Sequence, residues 1–298
     1  MKVSVVIPVF NGENYIDHSI KSCLIQDEVG EIIVIDDGSI DSTCEIVQKL
    51  GNLDQRIILK KLDKNYGSSK ARNIGIDLSN CELISFLDAD DYFLPNRFAK
   101  GINCLKKYPE IHGTYEPIKN FFEKNYKYSR EAEANIVFLT EDVKETQLFD
   151  YLIKDNKSFF SIISLILRSE SIKGKIYFDE DFKYGQDIDY LYSVTRNLIL
   201  KNANVKEIKI LRRIHNSNVT SSIGIQIFNP RKKLIDKWFK ILLTENFTPK
   251  QARYLVYRKI CYDLLDCRFL RYIGGYVSKF IVLIFLIFKH PKICLKLI

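Results

Sequence analysis

The sequence contains no CxxC pair, no GxGxxG after its first apolar run and no GxxxxGK[ST]. The first absence removes the sulfur spacing of a zinc site. The seven cysteines are odd in number and scattered, so no disulfide framework is expected either, and a reduced, cytosolic setting fits best. The other two absences count against dinucleotide-binding dehydrogenases and phosphate-loop nucleotide hydrolases. No internal repeat or low-complexity segment occurs. The apolar stretch "YVSKFIVLIFLIF" (Tyr276 to Phe288) falls short of the roughly 20 residues needed to span a bilayer. "MKVSVVIPVFNG" is cut by Pro8 and followed by Asn11, Gly12 and Glu13, with no small-residue cleavage pattern. It reads as a first strand rather than a signal peptide.

What remains is a 298-residue chain of ordinary globular composition, long enough for one large domain and an appendage. Its net charge of +8 is uneven. Residues 231–298 hold 15 Lys and Arg against 4 Asp and Glu, while the other 230 residues hold 30 against 33. A mildly acidic body thus carries a strongly basic tail, which suits nucleic acid or an anionic membrane surface.

The first hundred residues alternate strand and helix. Val3 to Val9, Glu31 to Ile35, Arg56 to Leu62 and Glu82 to Leu87 read as strands. Between them lie a helix capped by Asn11 with a stripe of Tyr15, Ile16, Ile20, Cys23 and Leu24, a helix capped by Asp41 or Ser42, and "GSSKARNIGIDLS". That alternation predicts right-handed crossovers and a mostly parallel, Rossmann-like sheet flanked by helices. A helix is expected after Pro95. Strands are expected near His112 to Phe122, Ile162 to Leu167 and Val205 to Arg212, with a loop insertion over Glu123 to Thr140. "GQDIDYLYSVTRNLI" from Gly185 is an amphipathic helix. Helices follow Phe228, two of them separated by Pro249 and a last one opened by Gly274-Gly275.

Ligands of open α/β sheets bind beyond the carboxyl ends of the strands. Three strands end there in "PVFNGE", "DDGS" and "DADD". Clustered carboxylates repel one another and resist leaving water, so Asp88, Asp90 and Asp91 call for a positive partner. A divalent cation answers this: hard oxygens suit Mg²⁺ or Mn²⁺, which take one or two protein carboxylates plus substrate phosphates. A capped turn would use the same residues.

The segments "VSVVIPVFNGENYI", "IIVIDDGSIDST", "GSSKARNIGI" and "ISFLDADDYFLPNR", taken together and in order, resemble the family 2 glycosyltransferases, inverting enzymes of the GT-A fold. The likeness covers roughly residues 1–100 and thins toward His215. It implies a catalytic domain over 1–225 and a basic helical extension over 226–298. It also implies a nucleoside-diphosphate sugar donor, usually with uracil as the base. Pro8, Val9, Phe10, Asn11 and Glu13 would lie at the nucleotide site, with Phe10 against the base. Asp37 would hydrogen-bond the base and Arg72 lie near the nucleotide, although a solvated helix face is the other reading of Arg72. Asp88, beside Ala89, would contact ribose or sugar, and Asp90 the Mn²⁺ or Mg²⁺ ion, with Asp88 and His215 as further candidate ligands. His215 also reads as a structural histidine.

An inverting transfer needs a base for the acceptor hydroxyl. The resemblance gives that role to Asp187 in "YGQDIDYLY", where Gln186 stands in place of the commoner Glu. A carboxylate favoured by the helix dipole is the plainer reading of Asp187. Asp189, two residues on, faces elsewhere on the helix.

The processive members of the family carry long transmembrane bundles and a QxxRW motif. "QARYL" does not match that motif, so one sugar per encounter is expected. The dense apolar stretch before Lys289, His290, Lys292 and Lys296 suggests a segment lying on the cytoplasmic face of the membrane, where a lipid-linked glycan acceptor would be met. A helix packed on the domain or on a partner chain is the alternative, and nucleic acid fits so apolar a segment poorly. The expected function is metal-dependent, non-processive transfer from a nucleoside diphosphate, UDP by preference, to a hydroxyl of a growing cell-surface glycan. Its rivals are a catalytically silent nucleotide-sugar-binding subunit that docks at the membrane, and a sugar-phosphate nucleotidyltransferase. The latter would open with a Gly-rich, Arg-containing loop that "PVFNGE" is not.

Overall fold

The computed structural model describes residues 1–123, 136–137, 143, 145–154, 161–203, 207–215 and 228–266. Contacts divide the chain into two compact units, Met1–Phe149 with Asn156–Ser222, and Asp150–Asp155 with Ile223–Ile298. The boundary expected at 225/226, the Gly274-Gly275 helix and the Tyr276 to Phe288 segment lie outside the described residues.

The first unit is an α/β fold. It begins β1 (Val3–Val9), α1 (Ile16–Leu24), β2 (Val29–Asp36), α2 (Thr43–Gly51), β3 (Ile57–Lys61), α3 (Ser68–Leu78), β4 (Leu83–Phe86), β5 (Tyr92–Phe93) and α4 (Ala99–Lys107). It continues with β6 (Gly113–Tyr115), β7 (Ile118–Phe122), β8 (Ile136–Val137), α5 (Leu148–Lys154, whose later residues belong to the second unit), β9 (Ile166–Arg168), α6 (Ser169–Ile172), α7 (Gln186–Asn197), β10 (Leu200–Asn202) and β11 (Ile210–Ile214). The main sheet has the order β10-β6-β9-β4-β1-β2-β3, and β5-β11-β7-β8 form a smaller one. All pairs from β4 to β3 are parallel, whereas β9 lies antiparallel between β4 and β6.

Every residue of β1 and β4 is buried, as expected of strands covered on both faces. The chain builds outward from β1 through β2 to β3, then returns to place β4 on the other side of β1. The crevice of a doubly wound sheet forms at such a switch point. Here it lies between the ends of β1 and β4, which deliver Phe10 and Asp88.

Several expectations need correction. Asn11 does not cap α1, whose N-cap position is Tyr15. At φ 52° Asn11 instead turns the chain, and its Oδ1 accepts a hydrogen bond from the Ile40 N–H at 3.0 Å. The first part of Ile162 to Leu167 is a buried 3-10 turn, Ile162–Ser164, with the strand starting at Ile166. The strand expected from Val205 begins at Ile210, and Leu200–Asn202 forms a separate one. Within the expected Glu123 to Thr140 insertion, Ile136–Val137 pairs with β7, and 124–135 and 138–140 lie outside the described residues.

The second unit contains α8 (Phe228–Thr244) and α9 (Pro249–Asp266). Leu234, Ile235, Trp238, Phe239 and Leu242 of α8 are buried at helical spacing, as are Ala252, Leu255 and Val256 of α9. Among the described residues no helix is long and apolar enough to cross a membrane.

Candidate active site

The turn after β4 holds Asp88, Ala89 and Asp90 half-buried and Asp91 buried. Arg72, buried on α3, donates from Nη2 to Asp88 Oδ1 at 2.7 Å, and its Nη1 lies 3.3 Å from Asp187 Oδ1 at the start of α7. One guanidinium therefore ties the turn after β4 to α7, with Arg72 and Asp187 115 residues apart in the chain. The reading of Arg72 as a solvated helix residue is overturned, since its side chain is 5% exposed. Burial works against the Arg72 charge, but Asp187 and Asp88 outweigh it and raise its pKa. Burial likewise pushes the Asp88 carboxyl above the usual carboxylate range. Arg72 pulls it back, while the Asp187 and Asp90 charges add to the rise.

Asp90 and His215 meet directly, with His215 Nε2 3.0 Å from Asp90 Oδ2 and the imidazole packed on the Tyr15 ring at 4.7 Å. Burial, then the charges of Asp90 and Asp88, hold the Asp91 carboxyl well above its ordinary range. Its Oδ1 accepts the Arg213 backbone N–H at 2.8 Å. Arg213 also donates from Nε to the Asp90 carbonyl at 2.9 Å, and its guanidinium sits among the rings of Tyr15, Tyr92 and Phe121. It further meets Glu123 at 3.2 Å and His18 Nδ1 at 3.1 Å. Arg213 escaped the sequence reading. Its signal was the i, i+2 spacing from His215, the residue just past β11, which in extended chain puts both on one face.

Among the described residues no group of three or more His, Cys, Asp or Glu side chains forms a ready cage for a metal ion. Magnesium and manganese do not need one, because phosphates and water complete their shells. Asp90 with His215 supplies two adjacent donors of suitable chemistry, and the neighbouring carboxylates supply the negative field. The residues fit such an ion.

On the nucleotide side, Pro8 and Val9 are buried within β1, and Phe10 is 47% exposed at its end. Asp37 accepts the backbone N–H groups of Tyr66 and Gly67, each at 2.8 Å, while burial raises its pKa against their pull. Asn11 and Glu13 serve the loop after β2. Glu13 Oε2 accepts the Ser42 N–H at 3.0 Å, and Asp41 Oδ2 accepts the Glu13 N–H at 3.1 Å. The structure thus commits these two side chains to joining the first two strand-end loops. Gln186 donates from Nε2 to Ser68 Oγ at 3.1 Å, Asp187 is 43% exposed, and Asp189 is buried.

Residues 4–171 match the family described as Glycosyl transferase family 2. An uncharacterized glycosyltransferase of Haemophilus influenzae is 31% identical over 74% of this chain and 68% of that one. The minor teichoic acid biosynthesis protein GgaA of Bacillus subtilis is 30% identical over 62% of this chain and 41% of its own. The chain therefore spans about two thirds of one relative's length and about two fifths of the other's. Among solved structures, S. aureus TarS 1-349 in complex with UDP-GlcNAc has TM-score 0.65 at 20% identity, covering 87% of this chain and 71% of that one. The mannosyltransferase PcManGT from Pyrobaculum calidifontis, in complex with GDP-Man and Mn²⁺, has TM-score 0.57 at 12% identity, covering 97% and 81%. The fold is that of these GT-A structures, and the chain belongs to glycosyl transferase family 2.

Proposed function

We propose that the chain transfers one sugar per encounter, with inversion, from a nucleoside-diphosphate donor to a hydroxyl of a growing cell-surface glycan. UDP is the favoured nucleotide. The observation that carries this reading is the Arg72 bridge, which sets the turn after β4 beside a half-exposed carboxylate at the start of α7. That is the layout a displacement requires, with a leaving-group side and a base side held apart by a fixed cation. The UDP-GlcNAc bound by TarS and the teichoic acid role in the name of GgaA support the donor and acceptor classes.

In this reading Phe10 and Asp37 receive the base, and Asp88 orients ribose or sugar. Asp90 and His215 would hold Mn²⁺ or Mg²⁺, with Asp88 as a further candidate ligand. The ion would supply Lewis-acid stabilisation of the departing diphosphate charge. The acceptor oxygen bonds to the anomeric carbon as the bond from that carbon to the diphosphate breaks. Its proton passes to the Asp187 carboxylate, and the bonding electrons leave with the diphosphate. Arg72 holds Asp187 and Asp88 in fixed relation through this step.

Calorimetry with UDP tests the donor side. Binding should need Mn²⁺ or Mg²⁺ and should weaken in Asp90→Asn, which loses a charged ligand. Equal affinity with EDTA present, or in the variant, would overturn the metal role. A silent binding subunit is the second reading, favoured only by Gln186 where Glu is commoner. Turnover of a radiolabelled UDP-sugar separates the two, because a binder gives none.

A further inference from the structure

Residues 173–185, between α6 and α7, form no regular helix or strand, yet this segment leads directly into Asp187. A buried backbone without a ladder must find its hydrogen bonds elsewhere. At Phe178 it finds them on one side chain. Asn73, buried on α3, accepts the Phe178 N–H on Oδ1 at 2.8 Å and donates from Nδ2 to the Phe178 carbonyl at 2.9 Å. Its Nδ2 also reaches Glu180 Oε1 at 3.0 Å. The amide occupies the place of a neighbouring strand, and 105 residues of chain separate the partners.

The pinned residue is itself a joint. The Phe178 ring stacks on Tyr190 of α7 at 3.8 Å with the planes 5° apart, and both rings meet Phe86, the last residue of β4, edge-on. The Arg72 guanidinium lies over the Phe178 ring at 5.3 Å while pairing with Asp187. Three α3 side chains, Ser68, Arg72 and Asn73, therefore reach the stretch from Phe178 to Asp187. Arg72 and Ser68 hold its end, and Asn73 holds its approach.

We propose that Asn73 is a positioning residue for Asp187: it fixes the Phe178 backbone, and through the Phe178–Tyr190 stack sets where α7 presents the base. The proposal rests on the reading of Asp187 as that base. A reacting group misplaced by about 1 Å can lose about 10²-fold in rate, and a side chain that acts only through another should have no effect once the other is gone.

The test is a double-mutant cycle on the full chain, with turnover measured on whichever UDP- or GDP-sugar the wild type consumes fastest. Asn73→Ala should lower kcat about 10²-fold, with KM for the donor and metal-dependent UDP affinity close to wild type. In an Asp187→Asn background the same change should alter kcat by less than about twofold. Hydrogen exchange, which needs no donor or metal, should show the Phe178 N–H losing protection in Asn73→Ala while the Leu87 N–H, just past β4 and bonded to the Val6 carbonyl of β1, keeps it. Asn73→Asp preserves size and can still accept the Phe178 N–H but sets an acceptor against the Phe178 carbonyl and Glu180, so it should reproduce the kcat loss and its dependence on Asp187 if Asn73→Ala folds poorly. Equal losses in both backgrounds, or unchanged Phe178 exchange, would overturn the proposal. An Asp187→Asn enzyme with wild-type turnover would instead overturn the base assignment, a result visible without any Asn73 variant.

Discussion

Arg97 and Glu116 are both fully buried, with Nη1 and Oε2 3.3 Å apart and Arg97 Nη2 donating to the Ser164 carbonyl at 2.8 Å. The pair is close in distance, but its geometry falls short of a hydrogen bond between the two groups. Burial lowers the Arg97 pKa and raises that of Glu116, and each charge partly offsets the other's shift. Removing one member leaves a lone buried charge, a cost of about 3–5 kcal/mol. Arg97→Met should therefore be destabilised by about that amount near neutrality. Because the folded pKa of Glu116 lies above its unfolded value, its contribution is fully present below about pH 4.3 and lost as pH rises through the folded pKa. The deficit of Arg97→Met should accordingly shrink from pH 7.5 to pH 5.5 in urea unfolding. A deficit constant with pH would show that Glu116 is not the group left stranded. Asp187 carries the second prediction at this scale. Asp187→Asn keeps size and much of the hydrogen bonding but cannot take a proton, so turnover should fall about 10²–10⁴-fold while UDP affinity holds. Full turnover in that variant would reopen Asp189. The carboxylates after β4 stood out in the sequence because an acidic cluster at a strand end carries a local signal, whereas Asp187 was singled out only by the family resemblance. Asn73 left no such mark and Arg213 only its spacing from His215, since their partners at Phe178 and Asp90 are set by packing between distant segments.

Among the elements, α3 matters most to the site, and a glycine sets its depth. A Cβ on Gly75 would lie 2.2 Å from Val6 Cγ1, in the middle of the buried strand β1. The helix accepts a residue of poor helical propensity in order to lie against the sheet. Gly75→Ala could recover up to about 1 kcal/mol of propensity, but overpacking a closed core costs about 1–3 kcal/mol. A net loss in urea unfolding is expected, together with lower turnover, because the displaced helix carries Ser68, Arg72 and Asn73. A stabilised, fully active variant would show that the contact relaxes without moving α3. The strands next to this helix were legible because β1, β2 and β4 are apolar runs long enough to stand out. Others that complete the sheets are shorter: β5 has two residues and β10 has three. Two or three residues show no period, and their pairing partners lie far along the chain, so residue pattern alone left them unplaced.

At the scale of the whole molecule the charges divide as the proposed chemistry requires. The carboxylates gather at the switch point of the sheet, where a cation and a diphosphate would meet them, and the positive excess lies beyond residue 230. A basic tail alone could serve any polyanion. Among polyanions, Phe280 to Phe288, nine apolar residues without a charge immediately before Lys289, favours a lipid surface over nucleic acid, with packing on the domain or a partner chain as the alternative. That stretch lies outside the described residues. Each basic residue near an anionic leaflet contributes about 1 kcal/mol, and the apolar side chains add burial that salt does not screen. The full chain should therefore pellet with phosphatidylserine-containing vesicles. Raising the salt should weaken that binding without abolishing it, because only the electrostatic share is screened. A chain ended at Gly274 loses the apolar stretch and four of the fifteen basic residues, so it should pellet less at low salt and be released fully when the salt is raised. Complete release by salt would assign the binding to charge alone, and full-length protein that never pellets at low salt would make the segment packing for the domain or a partner chain.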